Sequence, residues 1–183
     1  DTVNFDLNAN SSLFTTDLTA NLKKDNGLLS VHADVADPYN KKNLSGKVKL
    51  KDLSLDLFTA STNSLNSLKG KANIEGSLDG TLAKPLFFGK FSVKGSANPS
   101  YNVGTVDDFD ITVNANGSTG ILNGDLSLNG SKVSLNGNLN WENEALGQLN
   151  FDADNLPIFL LSYGEAQANV HTKVTLDKIL KVT

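Results

Sequence analysis

The side chains that could perform metal chemistry are few and scattered. His32 and His171 are far apart in the sequence, lie on the polar side of alternating segments, and have no cysteine and no carboxylate at ligand spacing. The acidic run Asp107-Asp108-x-Asp110 could bind calcium, but it lacks the glycine and the distal glutamate of an EF-hand loop. We therefore predict no metal site and interpret the acidic run as a solvated turn.

Candidate catalytic groups are equally sparse. Glu142 and Glu144 flank Asn143, but a glycosidase needs two carboxylates that face each other across a cleft, which spacing alone does not establish. Ser162-Tyr163-Gly164 lacks the leading glycine of a nucleophile elbow, and the chain has no cysteine nucleophile. We predict that the protein is not an enzyme and uses no cofactor.

Composition excludes some classes of partner and favours one kind of fold. All 16 cationic residues are lysine and the net charge is −4, so the basic surface and arginine forks of a nucleic-acid binder are missing. Hydrophobic residues make up 39% of the chain, which suits a sheet with one apolar face. No apolar run approaches the roughly 18 residues of a membrane span. We expect residues 1–183 to form one continuous β domain, cut from a longer protein.

A central stretch, Ile74 to Gly95, sets the fold class. Two segments hinged at Ala83-Lys84-Pro85 alternate strictly between apolar and polar residues. Ile74 and Leu78 share one face of the first segment, and Phe91 and Val93 share one face of the second. Because side chains on a strand alternate between faces, this pattern predicts two strands, each with one apolar side.

The same alternation, interrupted by turns, continues along the chain. Asn26-Gly27 and Asn129-Gly130 predict tight antiparallel hairpins, since both residue types tolerate positive φ. Apolar residues are even-numbered from Leu44 to Leu50 and odd-numbered from Leu53, so a bulge or bend is expected at Lys51-Asp52. Residues 58–68 are the one place where a short helix is compatible with the pattern, although their Ser and Asn content fits a loop nearly as well. Further breaks are predicted at Asp37-Pro38-Tyr39-Asn40 and Asn98-Pro99, and an irregular stretch at Asn155-Leu156-Pro157.

Gly76 to Val93 reads Gly-x-Leu-x-Gly-Thr-Leu-x-x-Pro-x-x-x-Gly-x-Phe-x-Val, which resembles a signature of the TamB and AsmA-like family. In that family the motif follows a short Asp-Leu-x-Leu strand and a loop that ends in Leu-x-Gly. Asp52-Leu53-Ser54-Leu55 and Leu68-Lys69-Gly70 occupy those places here. The resemblance is strongest over residues 49–151.

A single apolar face without long helices leaves few architectures. The sheet must close into a barrel, fold onto itself or hold a ligand. Leaving its apolar face in contact with water would cost roughly 1.5 to 3 kcal/mol for each large aliphatic side chain. Glycines on the apolar side leave space and allow curvature, so we predict an all-β fold. It consists of one long, mostly antiparallel sheet curled into an open trough with a hydrophobic concave face. The resemblance implies the same shape, a β-taco.

The resemblance also implies a function. The family is anchored in the inner membrane, spans the periplasm, meets an outer-membrane barrel of the TamA type, and is associated with lipid transport and outer-membrane protein assembly. The expected partners are phospholipid acyl chains or unfolded outer-membrane protein strands. The expected lining residues of the trough are Leu18, Leu22, Val31, Val48, Leu50, Leu55, Ile74, Leu78, Phe87, Phe91, Val93, Ile111, Val113, Leu126, Leu128, Leu135, Leu139, Phe151, Val170 and Val174.

Three other interpretations of the same pattern stay open. All of these lining residues are also what an ordinary packed β core requires. A structural or adhesive β-solenoid or sandwich with a dry core would share the alternation, although solenoids usually show a fixed short repeat and this chain does not. The Asn-rich polar face or an open sheet edge could instead recognise glycans or a partner strand.

Overall fold

The computed structural model of the protein describes residues 4–24, 27–61, 64–100, 104–142, 145–160 and 164–177. These residues form strands and one short 3₁₀ helix. The strands are β1 Asn4–Ser11, β2 Thr15–Lys24, β3 Gly27–Ala36, β4 Asn43–Ser54, β5 Leu65–Gly80, β6 Pro85–Pro99, β7 Val106–Gly117, β8 Thr119–Leu128, β9 Ser131–Asn140, β10 Ala145–Leu160 and β11 Gly164–Asp177; the helix is Leu55–Ser61. Among the described residues, no helix has the length and apolar character to cross a membrane.

Every strand pairs with the next strand along the chain. The order is β1 through β11 without a crossover, and each pairing is antiparallel. Within the described ranges β1 and β11 do not pair with each other, so the sheet is not closed into a barrel. It is a curled, open trough, and the predicted fold class is confirmed.

The register keeps apolar residues together on one side of the sheet. One row runs from Leu29 through Leu50, Ile74 and Phe91 to Val113, each opposite the next on the neighbouring strand. We call the side that carries this row the inner face. The other side is the outer face, on which Lys49 lies opposite Glu75 and Lys94 opposite Asp110. A slip of one residue would exchange the two faces.

A bulge in β4 carries out the predicted change of parity. The pairing with β5 skips from Leu50 to Leu53, and Asp52 has a φ of 51°. The backbone N–H of Asp52 donates to Oδ1 of Asn73 at 2.9 Å, which replaces the lost ladder bond. The extra residue allows Leu50 and Leu53 to lie on the same face.

The short helix overlaps the predicted region but begins at Leu55, and Leu65 already opens β5. β5 extends past the end of β4, whose pairing stops where Ser54 meets Lys71. The side chain of Thr59 covers part of this overhang, because its Oγ1 accepts the N–H of Leu68 at 3.1 Å. The helix therefore protects an otherwise open strand edge.

The turns agree with the sequence in most places. Asn129 and Gly130 have φ values of 51° and 80°, as the predicted hairpin requires. β2 and β3 form the expected antiparallel pair, although Asn26 lies outside the described residues. The break at Ala83-Lys84-Pro85 separates β5 from β6, and residues 37–42 form the break between β3 and β4.

The irregularity predicted at Asn155-Leu156-Pro157 is present, but it lies within a strand and does not end it. The segment continues β10, and the irregularity is absorbed by a register shift between Ala153 and Leu156, where Asn155 has a φ of 54°. β6 ends at Pro99, within the turn predicted at Asn98-Pro99, and the expected continuation at 101–103 lies outside the described residues. A bulge lets a strand absorb one misfit residue without ending.

We expect Asp52→Val to destabilise the protein by about 1 to 2 kcal/mol, because a β-branched residue is strained at positive φ. The matched control is Asp52→Gly. It removes the same carboxylate, including its 3.7 Å ion pair with Lys71, but tolerates the backbone geometry. Urea unfolding measures both. Equal loss of stability in the two variants would contradict a bulge that depends on Asp52 geometry.

Candidate functional site

The inner face carries the residues that the sequence assigned to the lining of the trough. Leu50, Leu55 and Leu135 are buried, Val174 on the edge strand β11 is exposed, and the others are half-buried. Leu55 lies in the 3₁₀ helix and not in a strand. The inner face is therefore apolar but partly accessible to solvent.

The register brings most of these residues into direct cross-strand contact. The pairs that join two of them are Val31 with Val48, Leu50 with Ile74, Leu78 with Phe87, Ile74 with Phe91, Phe91 with Val113, Val93 with Ile111, and Leu135 with Phe151. Others lie opposite smaller or different apolar residues, as Leu18 does with Ala33 and Val170 with Ala153. Leu128 lies at the end of its strand, opposite Ser131.

Two small clusters form the buried part of the inner face. Leu18 and Leu78 pack against Ala33, Val35 and Leu44. The second cluster contains Leu50, Leu55 and Ala72, with Leu29, Leu53, Leu68, Ile74, Val93 and Phe109 packed around it. No side chain among the described residues is fully buried, as expected for a single sheet without a second layer.

An apolar recess opens on the inner face near the start of β6. It has a volume of about 340 Å³ and is lined by Val48, Ile74, Leu78, Pro85, Leu86, Phe87, Phe91 and Trp141. Small-molecule sites in proteins usually measure about 300 to 1,000 Å³, so the recess is large enough for part of an apolar ligand.

Trp141, which follows β9, is held in place at this recess. Its backbone N–H donates to the carbonyl of Ser118 at 3.0 Å. Next to it, Glu142 Oε1 lies 3.3 Å from Nζ of Lys84, so the β5–β6 turn and the end of β9 meet across the short β7–β8 turn. Trp141 thereby lines the recess together with Val48 of β4 and Ile74 and Leu78 of β5, which are several strands away in the sheet.

Glycines on the inner face make room for larger neighbours. Gly76 and Gly89 face each other across β5 and β6, and the ring of Phe87 lies over them. A Cβ built on Gly76 would come within 2.5 Å of the Cζ of Phe87. The ring can lie flat along the sheet only because both positions lack side chains.

Two histidine–carboxylate groups lie on the outer face, and the sequence did not reveal them. His32 Nδ1 is 3.8 Å from Asp17 and its Nε2 is 3.4 Å from Asp34, and ligand atoms of all three residues lie within 4.8 Å of one another. Asp17 and Asp34 are direct cross-strand partners. His171 Nδ1 lies 3.0 Å from Asp152 in the same way. The expectation that no carboxylate lies near either histidine is wrong. Antiparallel pairing brings Asp17 and Asp152 close from neighbouring strands, and Asp34 lies two residues from His32 on the same face of β3.

The acidic run lies in β7 and not in a solvated turn. Asp107 Oδ2 accepts the N–H of Gly130 at 2.9 Å, and Asp110 Oδ2 lies 2.6 Å from Nζ of Lys94. These carboxylates therefore support a turn and a cross-strand ion pair. Glu144, Ser162 and Tyr163, considered above as catalytic candidates, lie outside the described residues.

We expect Gly76→Ala to cost about 1 to 3 kcal/mol of stability, because the new methyl group overlaps both the Phe87 ring and the backbone carbonyl of Phe88. Ser77→Ala, on the outer face of the same strand, is the matched control. Removing the ring in Gly76→Ala/Phe87→Ala should restore part of the loss. Thermal unfolding measures all variants, and equal melting temperatures for Gly76→Ala and Ser77→Ala would contradict the contact.

Comparison with known proteins supplies one match. The sequence model of a family described as "TamB, N-terminal domain" matches residues 1–93, which is half of the chain. The match includes the motif at 76–93 and ends before residues 94–151. No curated protein and no solved structure matches the chain.

Proposed function

This chain belongs to the TamB family, and from that premise we propose that it is a periplasmic segment of a bridge between the inner and outer membranes. In this proposal the inner face of the trough shields lipid acyl chains from water during transport. Family membership itself assigns the chain to the cell envelope and to a family without enzymatic activity. The observation that carries the finer proposal is the apolar inner face, which remains half exposed and over which the described residues place no second layer of protein.

Acyl chains suit such a surface for physical reasons. Burial of apolar surface contributes roughly 25 cal/mol per Å² and has no directional requirement, so a chain can shift along the inner face without breaking specific bonds. The recess near Trp141 offers a place of closer contact. The charged and amide side chains lie on the outer face, so the inner face offers a lipid headgroup no polar partner. The headgroup would therefore remain in water at the open side of the trough.

The partners proposed for the whole protein follow from the family. The full-length protein would be anchored in the inner membrane and would meet an outer-membrane barrel of the TamA type, with this chain in the periplasm. A second cargo, unfolded strands of outer-membrane proteins, is favoured by one feature of the sheet. Every residue of β1 is exposed and the outer edge of that strand is unpaired within the described residues, so it offers hydrogen bonds to an added strand.

The first test compares adjacent positions on opposite faces. We expect Phe91→Asp and Leu126→Asp to reduce the phospholipid that copurifies with the chain at least about tenfold, since each places a charge against an acyl chain. The controls are Ser92→Asp and Ser127→Asp, at the positions next to Phe91 and Leu126. They add the same charge to the outer face and should retain lipid. Mass spectrometry of the bound lipids gives the readout, and equal lipid content in both sets would contradict the proposal.

A second readout uses the sole tryptophan of the chain, Trp141, which lines the recess. A fatty acid brominated in its acyl chain should quench the fluorescence of Trp141, because bromine quenches by contact. The quenching should be weaker in Phe91→Asp and unchanged in Ser92→Asp. Undiminished quenching in Phe91→Asp would indicate that the acyl chain does not enter at this recess.

A further inference from the structure

Three neighbouring turns at one end of the strands present large apolar side chains to solvent. The β1–β2 turn carries Leu13 and Phe14, the β3–β4 turn carries Tyr39, and the β5–β6 turn carries Leu82. We call these four residues the tip surface. Alternate turns of an antiparallel meander lie at the same end of the sheet, so the three turns are spatial neighbours.

Backbone contacts join the three turns into one unit. The N–H of Asp37 donates to the carbonyl of Phe14 at 2.9 Å, and the N–H of Leu82 donates to the carbonyl of Lys42 at 3.0 Å. Asn43 and Thr81 add a β-bridge between the second and third turns. The tip surface is therefore a continuous part of the fold and not three separate loops.

These side chains are among the most exposed apolar groups in the described chain. Phe14 is 79% exposed, Leu13 74%, Tyr39 71% and Leu82 52%. A cluster of this kind marks an interaction site more often than a solvated surface, whereas single exposed apolar residues need no explanation.

Several backbone N–H groups of the turns are already hydrogen-bonded within the turns. Oγ of Ser12 accepts the N–H groups of Phe14 and Thr15, and the carboxylate of Asp37 accepts the N–H of Lys41 at 3.4 Å. In the third turn the N–H of Lys84 donates to the carbonyl of Thr81 at 3.1 Å. Internal hydrogen bonds lower the cost of moving the backbone into an apolar phase, where an unpaired group is expensive.

The charges around the tip surface agree with a lipid headgroup region. Residues 12–14, 37–42 and 81–84 contain three lysines and one carboxylate, that of Asp37, which is bonded within its own turn. Lys84 is already ion-paired with Glu142 at 3.3 Å, so the positive charges that carry the argument are those of Lys41 and Lys42. Lys41 and Lys42 follow Tyr39 and are exposed. Lysine can keep its ammonium group in the headgroup layer while aromatic and aliphatic tips enter the interface below.

We propose that the tip surface docks the protein on a lipid bilayer that contains anionic headgroups, with Leu13, Phe14, Tyr39 and Leu82 inserted at the interface. The recess near Trp141 begins at Pro85, which follows the third turn directly, so docking would bring it near the membrane. A protein partner would be the competing occupant of the same surface, and the experiment below separates the two.

The test measures flotation of the chain with vesicles of phosphatidylcholine, with and without phosphatidylglycerol. We expect wild-type protein to bind both, and the mixed vesicles more tightly. Phe14→Ser/Tyr39→Ser should lower affinity at least about tenfold for both, since each large apolar side chain accounts for about one to two factors of ten. Lys41→Gln/Lys42→Gln should weaken binding to the mixed vesicles only.

Phe5→Ser/Leu7→Ser is the matched control, because these residues of β1 are 64% and 58% exposed but lie away from the turns. It should bind vesicles like wild type. Phe14→Ser/Tyr39→Ser should in turn retain the phospholipid that copurifies with the chain, so this proposal and the acyl-chain proposal fail separately. The membrane-docking proposal is overturned if the wild-type protein does not bind the vesicles, or if Phe14→Ser/Tyr39→Ser binds them with wild-type affinity. If the wild-type protein self-associates in sedimentation but does not bind vesicles, and Phe14→Ser/Tyr39→Ser abolishes the self-association, the tip surface is a protein-docking site instead.

Discussion

The structure depends on the register of antiparallel pairing. Each strand places its apolar side chains opposite those of the next, and one face remains apolar across the sheet only if no hairpin slips by a single residue. Where the sequence changes parity, as between Leu50 and Leu53, a bulge at Asp52 restores the match and the Asn73 side chain replaces the missing backbone bond. The bulge in β10 near Asn155 has the same role. Local irregularity thus preserves the separation of the two faces.

The antiparallel pairing also allows the sheet to be stable as a single layer. The buried clusters around Val35 and Leu50 are small, and a large part of the inner face remains accessible. Every strand contacts its sequence neighbours most extensively, so stability is close to a sum of terms between adjacent strands, as in repeat proteins. Glycines such as Gly76 contribute by letting a ring from the next strand cover the backbone. An accessible apolar surface is therefore compatible with a stable fold.

The sequence predicted those features that depend on periodicity and on local backbone preference. The two faces, the hairpins at Asn-Gly and the bulge near Asp52 all follow from residue type and spacing. It did not reveal the proximity of His32 to Asp17, because that contact depends on the register of β2 with β3. It also placed Leu55 in a strand, whereas the bulge and the helix turn this residue into a buried cluster. Nor does periodicity identify the tip surface, since its residues lie in turns, where alternation carries no information.

The uninterrupted order of the strands has one further consequence, which concerns growth of the architecture. A new hairpin can be added beside an edge strand without rethreading any existing connection, because no crossover has to be passed. Each added hairpin would lengthen the sheet by about 10 Å, twice the spacing between strands. Duplication of hairpin units would therefore lengthen the sheet in small steps that leave the existing strands unchanged.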